Sequence, residues 1–412
     1  MRRGTRSAAA LRRGLAVAAA ALLAASAAAA TDDERPLARA YPSLRFPRVA
    51  LVCTPTALEP LAALERAVRG RATAEAPWLW MKRDDAAQGL VGGNKARKLE
   101  LLLGEARARG ARSILTSGRF GTHLGVAAAE AARRLGLRAT IVLAPQPPSA
   151  EVRRNLLTLQ ATGAELRVHG SMAAALVDMG WLRLRGLLAA GDAYYIPPSG
   201  TSALGSIGYA EAFLELAEQA GPSGEVDEIV VAASTGGTAA GLLAGICLAG
   251  RWGRTTLRAV GVTDPWLQSE WLLRREARET YDALLAAMDA RDRARAPQCD
   301  FSEAPGSLVY VKGYLGPGYG RADPETDRVV RLVRELHGVV LDAVYSGKAM
   351  RHFLDRAAER LRAGDTARRL VFWNTYAPVD LEAAIAAHRW SNPAEPWRDL
   401  PPAVQPLFAG AR

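Results

Sequence analysis

Lys95 lies where a charged side chain is difficult to accommodate. It belongs to the stretch VGGNKARKLELLL (91–103), whose glycines, cap residue Asn94 and leucine-rich continuation predict a helix over 94–109. Lys95 shares a helix face with Leu99 and Leu102, which predicts that its side chain points toward the interior. A lysine so placed must reach solvent, pair with a carboxylate or give up its charge in a covalent bond. Lys95 is therefore a candidate catalytic residue, with a buried ion pair as the alternative.

A glycine-rich loop joins a predicted strand at 228–234 to a predicted helix at 238–249. Backbone N–H groups of such a loop, together with a helix N-terminus, form a phosphate-binding site. The loop does not have the G-x-G-x-x-G pattern of dinucleotide sites, and it lacks the lysine of a P-loop. A tight strand-to-helix turn is the alternative interpretation. The loop reads Ser234-Thr235-Gly236-Gly237-Thr238.

Two further motifs present hydroxyl groups. The run VYSGKA (344–349) carries Tyr345 and Ser346 at the start of a predicted helix, but Asp342 stands where a P-loop requires glycine. The run GPGYG (316–320) is a rigid turn that presents Tyr319. Each motif alone is explained equally well as an ordinary turn.

These features in combination suit pyridoxal phosphate. An inward lysine at a strand-to-helix junction can bond covalently to the cofactor, and a glycine loop without a P-loop lysine can hold its phosphate. The cofactor itself would supply the electron sink. The combination favours this interpretation over a buried, ion-paired Lys95.

The elements that must position these residues alternate along the chain. Short β-branched runs separated by amphipathic helices predict parallel sheets flanked by helices, with ligands bound where strand ends meet helix starts. The strands are predicted at 78–82, 113–117, 139–144, 165–170, 228–234, 257–262 and 369–375. The helices between them are predicted at 94–109, 123–135, 150–162, 205–220 and 238–249.

Composition narrows the classes of protein. A chain of 412 residues suits two domains, and its net charge of +11 is not concentrated in a basic, aromatic-rich patch, so nucleic-acid binding is not expected. The five histidines are scattered, and no metal site is expected. Three cysteines cannot all pair, and their spacing predicts no disulfide framework: Cys53, Cys247 and Cys299.

The N-terminus has the features of a targeting segment. Residues 1–30 combine a basic start, a short apolar stretch and A-x-A cleavage sites, which predicts a signal peptide, a mature start near Thr31 and a periplasmic location without a stable membrane anchor. Arg12-Arg13 forms a loose twin-arginine pattern, typical of proteins that are exported after folding. A disordered alanine-rich leader is the alternative.

The order of motifs resembles the family of D-cysteine desulfhydrase and 1-aminocyclopropane-1-carboxylate deaminase, in the tryptophan-synthase-β-like (fold type II) group of pyridoxal phosphate enzymes. The resemblance runs from 54 to 350 through TPTALEPL, WLWMKRDD, GGNKARKLE, SGTSALGSIGYAEA, STGGTAAGL, YLGPGYG and VYSGKAM.

The resemblance implies a two-domain α/β fold with open, parallel, twisted sheets flanked by helices. Its small domain would span 108–206. The large, cofactor-binding domain would combine 38–107 with 207–391, and a tail would follow at 392–412. A homodimer and a small amino-acid substrate are also expected.

Residue by residue, the resemblance assigns the cofactor site. Lys95 matches the Schiff-base lysine and Lys98 a lysine near the cofactor phosphate. Ser346 lies at the position beside the ring nitrogen, where desulfhydrases have Thr and the deaminase has Glu, and Thr375 in WNTYA is a second candidate for that nitrogen. The phosphate cradle corresponds to Thr235, Gly236, Gly237 and Thr238.

The catalytic residues that the resemblance implies include one departure. Tyr319 and Tyr345 match two tyrosines that face the substrate. Relatives carry Ser-Asn after the strand at 113–117, where this chain reads GRFGTHL. One alignment places Thr122 on the Ser, the proton-handling group, and His123 on the Asn that contacts the cofactor. The other alignment places Gly121 on the Ser and Thr122 on the Asn.

The resemblance implies pyridoxal phosphate-dependent β-elimination or deamination of a small amino acid. D-Cysteine, giving sulfide, pyruvate and ammonia, is the preferred substrate because Ser346 is closer to Thr than to Glu, and a hydroxyl gives a milder electron sink than a carboxylate. Ring opening of 1-aminocyclopropane-1-carboxylate is the alternative. Because the Asn of the loop after the strand at 113–117 is missing, a third hypothesis stays open: a cofactor-binding protein with little catalysis.

Overall fold

The computed structural model describes most of the chain beyond residue 31. The signal peptide expected at 1–30 and the mature start expected near Thr31 lie outside the described residues. The structure describes residues 32–70, 77–87, 93–188, 192–221, 226–265, 267–302, 307–321, 323–377 and 382–408.

The strands of the described residues form two open sheets. The six-stranded sheet has the order β1-β2-β10-β7-β8-β9, and the four-stranded sheet has the order β5-β4-β3-β6. The strands are β1 (Leu58–Pro60), β2 (Leu79–Arg83), β3 (Ser113–Arg119), β4 (Arg138–Ala144), β5 (Glu165–Val168), β6 (Ala193–Tyr195), β7 (Val226–Ala233), β8 (Thr256–Gly261), β9 (Leu308–Val311) and β10 (Arg369–Asn374).

Both sheets are parallel apart from β1, which pairs with β2 in the antiparallel direction. The predicted α/β class with helix-flanked parallel sheets is confirmed. The helices are α1 (Pro36–Ala40), α2 (Ala62–Arg69), α3 (Gly93–Ala108), α4 (His123–Arg134), α5 (Ala150–Ala161), α6 (Met172–Leu188), α7 (Ala203–Ala220), α8 (Gly237–Leu248), α9 (Glu270–Ala287), α10 (Ala290–Arg295), α11 (Pro324–His337), α12 (Ser346–Arg362) and α13 (Glu382–Ala387).

Helices cover both faces of each sheet, and successive strand residues pack against different helices. In β7, Ile229 and Val231 join the core formed with α7, α8 and α9, whereas Val230 joins the core formed with α12. In β4, Ile141 packs with α4 and α5, and Val142 packs with α6. Burial on both faces explains why these strands read as continuous apolar runs.

One disulfide corrects the expectation that the cysteines do not pair. Cys247 at the end of α8 is bonded to Cys299, which follows α10, whereas Cys53 is free. The two cysteines are 52 residues apart in sequence, so spacing alone could not reveal the pair. Phe301, two residues after Cys299, packs against the rings of Trp252 and Tyr281, at 4.9 and 5.6 Å between centroids. This packing holds the segment after α10 against α8 and α9, so the two cysteines meet.

Two searches of the described residues bear on membrane and metal binding. In this part of the chain, no helix combines the length and apolar character needed to cross a bilayer. The same residues contain no group of three or more His, Cys, Asp or Glu side chains arranged to hold a metal ion.

Candidate active site

A cavity of about 350 Å³ opens where β3, β4, β7 and β10 end. This is the edge at which parallel α/β sheets bind ligands. The cavity collects residues that are far apart in sequence. Of the residues predicted from the sequence, it is lined by Lys95, Lys98, Thr122, His123, Thr235, Gly236, Gly237, Thr238, Tyr319, Tyr345 and Thr375.

The first turn of α3 is fixed against the end of β10, and this contact aims Lys95 into the cavity. Gly93 has a φ of +68°, and a Cβ at this position would lie 2.6 Å from the carbonyl oxygen of Thr375. The N–H of Asn94 donates to that same oxygen at 3.1 Å. Glycine is therefore required where α3 begins, because a side chain would push the helix away from β10.

The protein environment makes Lys95 a better nucleophile than an exposed lysine. Burial lowers the pKa of its ammonium to about 8, although the negative charge of Asp342 acts in the opposite direction. A substantial fraction of Lys95 is therefore a neutral amine near neutral pH, the form that adds to an aldehyde.

The loop before α8 has the shape of a phosphate cradle. A Cβ at Gly237 would lie 2.8 Å from the Thr201 hydroxyl and 2.9 Å from the Lys98 ammonium, so only glycine leaves these two groups close to the backbone. Gly236, with a φ of +85°, forms the turn into α8. Backbone donors, a helix N-terminus and an ammonium thus converge on one point, which is what a phosphate requires.

Lys98 is buried beside this cradle. Burial and the neighbouring charge of Lys95 lower the pKa of Lys98 well below its usual value, and Glu276 opposes that shift. Its ammonium donates to the carbonyl oxygen of Ser199 at 3.4 Å. A phosphate group bound at Gly237 would stabilise the charged form of Lys98, so the residues present fit pyridoxal phosphate.

Tyr319 and Tyr345 lie on one wall of the cavity, with their hydroxyl groups in direct hydrogen-bond contact. Burial raises the pKa of both phenols, most strongly that of Tyr345, where the contact with Tyr319 adds to the effect. The Arg119 guanidinium lies over the ring of Tyr319, 4.8 Å from its centroid. At neutral pH both tyrosines are therefore neutral and can donate a hydrogen bond.

Lys348, in the VYSGKA run, holds the turn that carries Tyr319 in place. Its buried ammonium donates to the carbonyl oxygens of Leu315 at 2.6 Å and Gly318 at 3.4 Å. Lys348 therefore acts on the position of Tyr319 and does not line the cavity.

Ser346 is the one predicted site residue that does not line the cavity. Its hydroxyl donates to Asp342 Oδ2 at 2.6 Å and accepts from the N–H of Asp342 at 2.9 Å. The other carboxylate oxygen of Asp342 accepts from the N–H of Val344 at 2.8 Å. These bonds cap the start of α12, and they place Asp342 at the cavity surface with Ser346 buried against it. The role of Ser346 beside the ring nitrogen stays a prediction.

The loop that departs from the family pattern also lies at the cavity. Thr122 is the N-cap of α4, and its hydroxyl accepts from the N–H of Gly125 at 3.1 Å. His123 begins the helix, and its Nε2 lies 3.0 Å from Glu151 Oε1. Tyr376 donates its hydroxyl to that same oxygen at 3.2 Å.

Four ionisable residues that line the cavity were not predicted from the sequence: Arg119, Glu151, Asp342 and Tyr376. Two signals were available, because Tyr376 directly follows Thr375 and Asp342 precedes the VYSGKA run. Nothing in the sequence connects Glu151 with Tyr376, since 225 residues separate them.

Comparison with known proteins agrees with this geometry. The model of the family described as "Pyridoxal-phosphate dependent enzyme" matches residues 49–374. Nocardicin C-9' epimerase from Nocardia uniformis subsp. tsuyamanensis is 36% identical over 337 residues, which cover 80% of this chain and 92% of that protein. D-Cysteine desulfhydrase from Klebsiella pneumoniae (strain 342) is 31% identical over 320 residues, or 77% of this chain and 90% of that protein.

Solved structures show the same fold. The structure described as an ACC deaminase homologue is 29% identical and matches with a TM-score of 0.64 over 82% of this chain and 93% of its own. O-Acetyl serine sulfhydrylase isoform 3 from Entamoeba histolytica is 14% identical, with a TM-score of 0.52 over 83% of this chain and 92% of its own, and supports the fold alone.

Proposed function

The chain belongs to the family of pyridoxal-phosphate dependent enzymes, and we propose that it catalyses β-elimination and deamination of a small D-amino acid. D-Cysteine is the proposed substrate, with sulfide, pyruvate and ammonia as products. The similarity to D-cysteine desulfhydrase and to the structure of an ACC deaminase homologue supports this reaction class.

The observation that carries the proposal is the placement of Lys95. Its amine, with a pKa of about 8, shares one cavity with the phosphate cradle at Gly237 and the ammonium of Lys98. Bound there, pyridoxal phosphate would supply an electron sink for chemistry at the substrate α-carbon. The cradle and Lys98 would hold the phosphate, and Lys95 would hold the cofactor covalently until substrate arrives.

Lys95 is also the best base for the α-proton. The raised pKa values of Tyr319 and Tyr345 keep their phenols protonated, so neither is an effective base at neutral pH. The hydrogen bond between the two phenols leaves one phenolic O–H free to donate to the substrate and orient it, and the Nζ of Lys95 receives the proton.

Comparing kcat/KM for D-cysteine and 1-aminocyclopropane-1-carboxylate tests the substrate assignment. We expect ring opening to be at least about tenfold slower, which corresponds to about 1.4 kcal/mol in activation free energy. Faster ring opening would make the deaminase alternative correct. If neither substrate reacts while absorbance shows bound cofactor, the chain is a cofactor-binding protein with little catalysis.

Epimerisation at the α-carbon is a second candidate function. The similarity to nocardicin C-9' epimerase favours it, as does a second polar group in the cavity, the His123–Glu151 pair, which could handle a proton apart from Lys95. Chiral chromatography of D-alanine incubated with the enzyme tests this candidate, because alanine has no group to eliminate.

We also propose that the chain is exported to the periplasm, with its leader removed near Thr31. The Cys247–Cys299 disulfide supports this location, because disulfides persist in oxidising compartments. Cell fractionation and N-terminal sequencing of the mature protein provide the test. Full-length protein in the cytosol with Met1 retained would contradict the proposal.

A homodimer is the proposed assembly. Helix α6 exposes apolar side chains on the surface of the chain, which is typical of a protein–protein contact. These side chains are Leu176, Val177, Trp181 and Leu184. Light scattering after size exclusion should give twice the chain mass, and Val177→Asp with Trp181→Asp should give a monomer.

A further inference from the structure

His123 is held in the cavity by two residues from distant parts of the chain. Its Nε2 lies 3.0 Å from Glu151 Oε1, at the start of α5. The ring of Tyr376 meets the imidazole edge to face, with 5.7 Å between centroids and 87° between planes. A histidine held by a carboxylate and an aromatic ring in a reactive cavity has a fixed orientation, as a proton-transfer group requires.

The charge state of Glu151 fixes which nitrogen of His123 is available. Burial acts to raise the pKa of Glu151, but the hydrogen bond and charge of His123, the hydrogen bond from Tyr376 and the charge of Arg154 together hold the pKa below its usual value. Glu151 is therefore a carboxylate at neutral pH, and Nε2–H donates to it. Within the described residues, Nδ1 has no hydrogen-bond partner and remains free for a ligand in the cavity.

Three hydroxyl groups of the cavity already have hydrogen-bond partners. The Thr122 hydroxyl accepts from the N–H of Gly125 and caps α4. The hydroxyls of Tyr319 and Tyr345 contact each other. Lys95 is required at the α-carbon, where it receives the proton. His123 is left as an oriented group with a free nitrogen that can act elsewhere on the substrate.

Building on the β-elimination proposed above, we propose that His123 is the catalytic acid that protonates the leaving group at the substrate β-carbon. As the Cβ–S bond breaks, its electron pair passes to sulfur, and the proton on Nδ1 of the imidazolium passes to the departing sulfide, which leaves as hydrogen sulfide. The α-proton held by Lys95 passes to solvent, and His123 regains a proton from solvent, so protons balance over a turnover. Glu151 is a positioning residue that orients the imidazole.

A comparison of leaving groups tests this role in the holoenzyme. Chloride departs from β-chloro-D-alanine without a proton, whereas sulfide from D-cysteine benefits from an acid. In His123→Gln, we expect kcat on D-cysteine to fall at least about tenfold, within the usual range for loss of a general acid, while kcat on β-chloro-D-alanine changes less than about twofold. Glu151→Gln should also lower kcat on D-cysteine more than kcat on β-chloro-D-alanine, but by a smaller factor than His123→Gln.

His169 offers a matched control, because it also pairs with a carboxylate, Asp178, at 2.9 Å, but does not line the cavity. His169→Gln should leave both substrates unaffected. Equal losses on both substrates in His123→Gln would overturn the proposal, since His123 would then act before the bond to the leaving group breaks. Failure of the wild-type enzyme on β-chloro-D-alanine would instead overturn the β-elimination itself.

Chemical modification provides a readout that does not depend on turnover. Diethyl pyrocarbonate, which reacts with unprotonated imidazole, should modify His123 in the holoenzyme during the part of its proton cycle in which Nδ1 carries no proton, and saturating D-alanine should reduce that modification at least about threefold by occupying the cavity. Peptide mapping by mass spectrometry follows both His123 and the control His169. Modification of His123 that D-alanine does not change would show that its free nitrogen does not face the substrate.

Discussion

At the scale of single residues, two lysines one helical turn apart are held for different tasks. Lys95 borders the cavity near Asp342, and its pKa of about 8 leaves a reactive amine. Lys98 is buried against the cradle at Gly237, where a bound anion would add to the stabilisation that Glu276 gives its charge. Their spacing in GGNKARKLE places both on the inward face of α3, Lys95 at the cavity and Lys98 beside the cradle at Gly237, where we propose that they hold the aldehyde end and the phosphate of the cofactor.

The charge of Asp342 should set the reactivity of Lys95. Asp342→Asn removes a carboxylate that raises the pKa of Lys95, so we expect that pKa to fall below about 8. The pH dependence of Lys95 acetylation by acetic anhydride, mapped by mass spectrometry in cofactor-free protein, measures it. Ser346→Ala is the control, because it removes the two hydrogen bonds between the Ser346 hydroxyl and Asp342 and keeps the charge. An unchanged or higher pKa in Asp342→Asn would contradict this account.

Lys98 should recognise the phosphate and not the ring. In Lys98→Met, we expect the Kd for pyridoxal phosphate to rise at least about tenfold, or 1.4 kcal/mol, while the Kd for pyridoxal changes less than about twofold. Absorbance titration of cofactor-free protein with each compound gives both constants. Equal weakening for the two compounds would show that Lys98 supports the fold of the site and does not bind phosphate.

At the scale of elements, α3 is anchored by a buried network of charges. Arg97 donates to Asp84 at 2.9 Å and to Glu215 at 3.0 Å, and Lys82 also pairs with Glu215. Burial acts to raise the pKa of Asp84 and Glu215, but the charges of Arg97 and Lys82 and the hydrogen bonds to these carboxylates together outweigh it and lower both. The network joins β2, α3 and α7 two residues from Lys95, so it holds the reactive lysine in place.

Removing one charge from this network should destabilise the protein strongly. For Asp84→Asn we expect the free energy of unfolding to fall by about 3 kcal/mol, because Arg97 loses a buried partner. Glu279→Gln, in an exposed pair with Arg275, should cost less than about 1 kcal/mol. Urea unfolding monitored by circular dichroism measures both. Equal effects would mean that the buried network contributes no more than a surface pair.

The destabilisation caused by Asp84→Asn should depend on pH, in the direction set by the pKa shift of Asp84. The folded state lowers the pKa of Asp84, so the network stabilises the protein above the unfolded pKa and loses this contribution as pH falls through the folded value. The difference in the free energy of unfolding between wild type and Asp84→Asn should therefore become smaller below about pH 4. A gap that widens in acid would contradict the assigned charge state.

The helices and strands of the site could be predicted from sequence, but several contacts could not. The predicted helix over 94–109 is observed as Gly93–Ala108, because leucine spacing and the preceding glycines report local structure directly. The contact of His123 with Glu151 depends on where α5 packs, and the bond between Cys247 and Cys299 depends on a loop that returns to α8. Tertiary packing decides these contacts, and no local pattern encodes it.

At the scale of the whole molecule, the disulfide ties the segment after α10 to the core of the six-stranded sheet. Cys247 is fully buried in that core, and Cys299 packs against it from the surface. A cross-link over 52 residues restricts the unfolded chain more than the folded one. The disulfide therefore stabilises the packing of the segment after α10 against α8, the helix that follows the glycine loop proposed to hold the phosphate.

Loss of this disulfide should lower stability without removing the site. Cys299→Ser should reduce the free energy of unfolding by about 2–4 kcal/mol. Cys53→Ser, at the free cysteine, is the matched control and should change it by less than about 1 kcal/mol. Urea unfolding without reductant tests both variants. An equal effect of the two substitutions would indicate that the cysteines do not pair in solution.

The central claim is that Lys95 carries pyridoxal phosphate in this cavity. Borohydride reduction of the holoenzyme fixes the cofactor to the lysine that binds it, and peptide mapping by mass spectrometry then identifies that lysine. We expect the label on Lys95, the lysine that lines the cavity with a pKa of about 8. A label on Lys98 or Lys348 would contradict it.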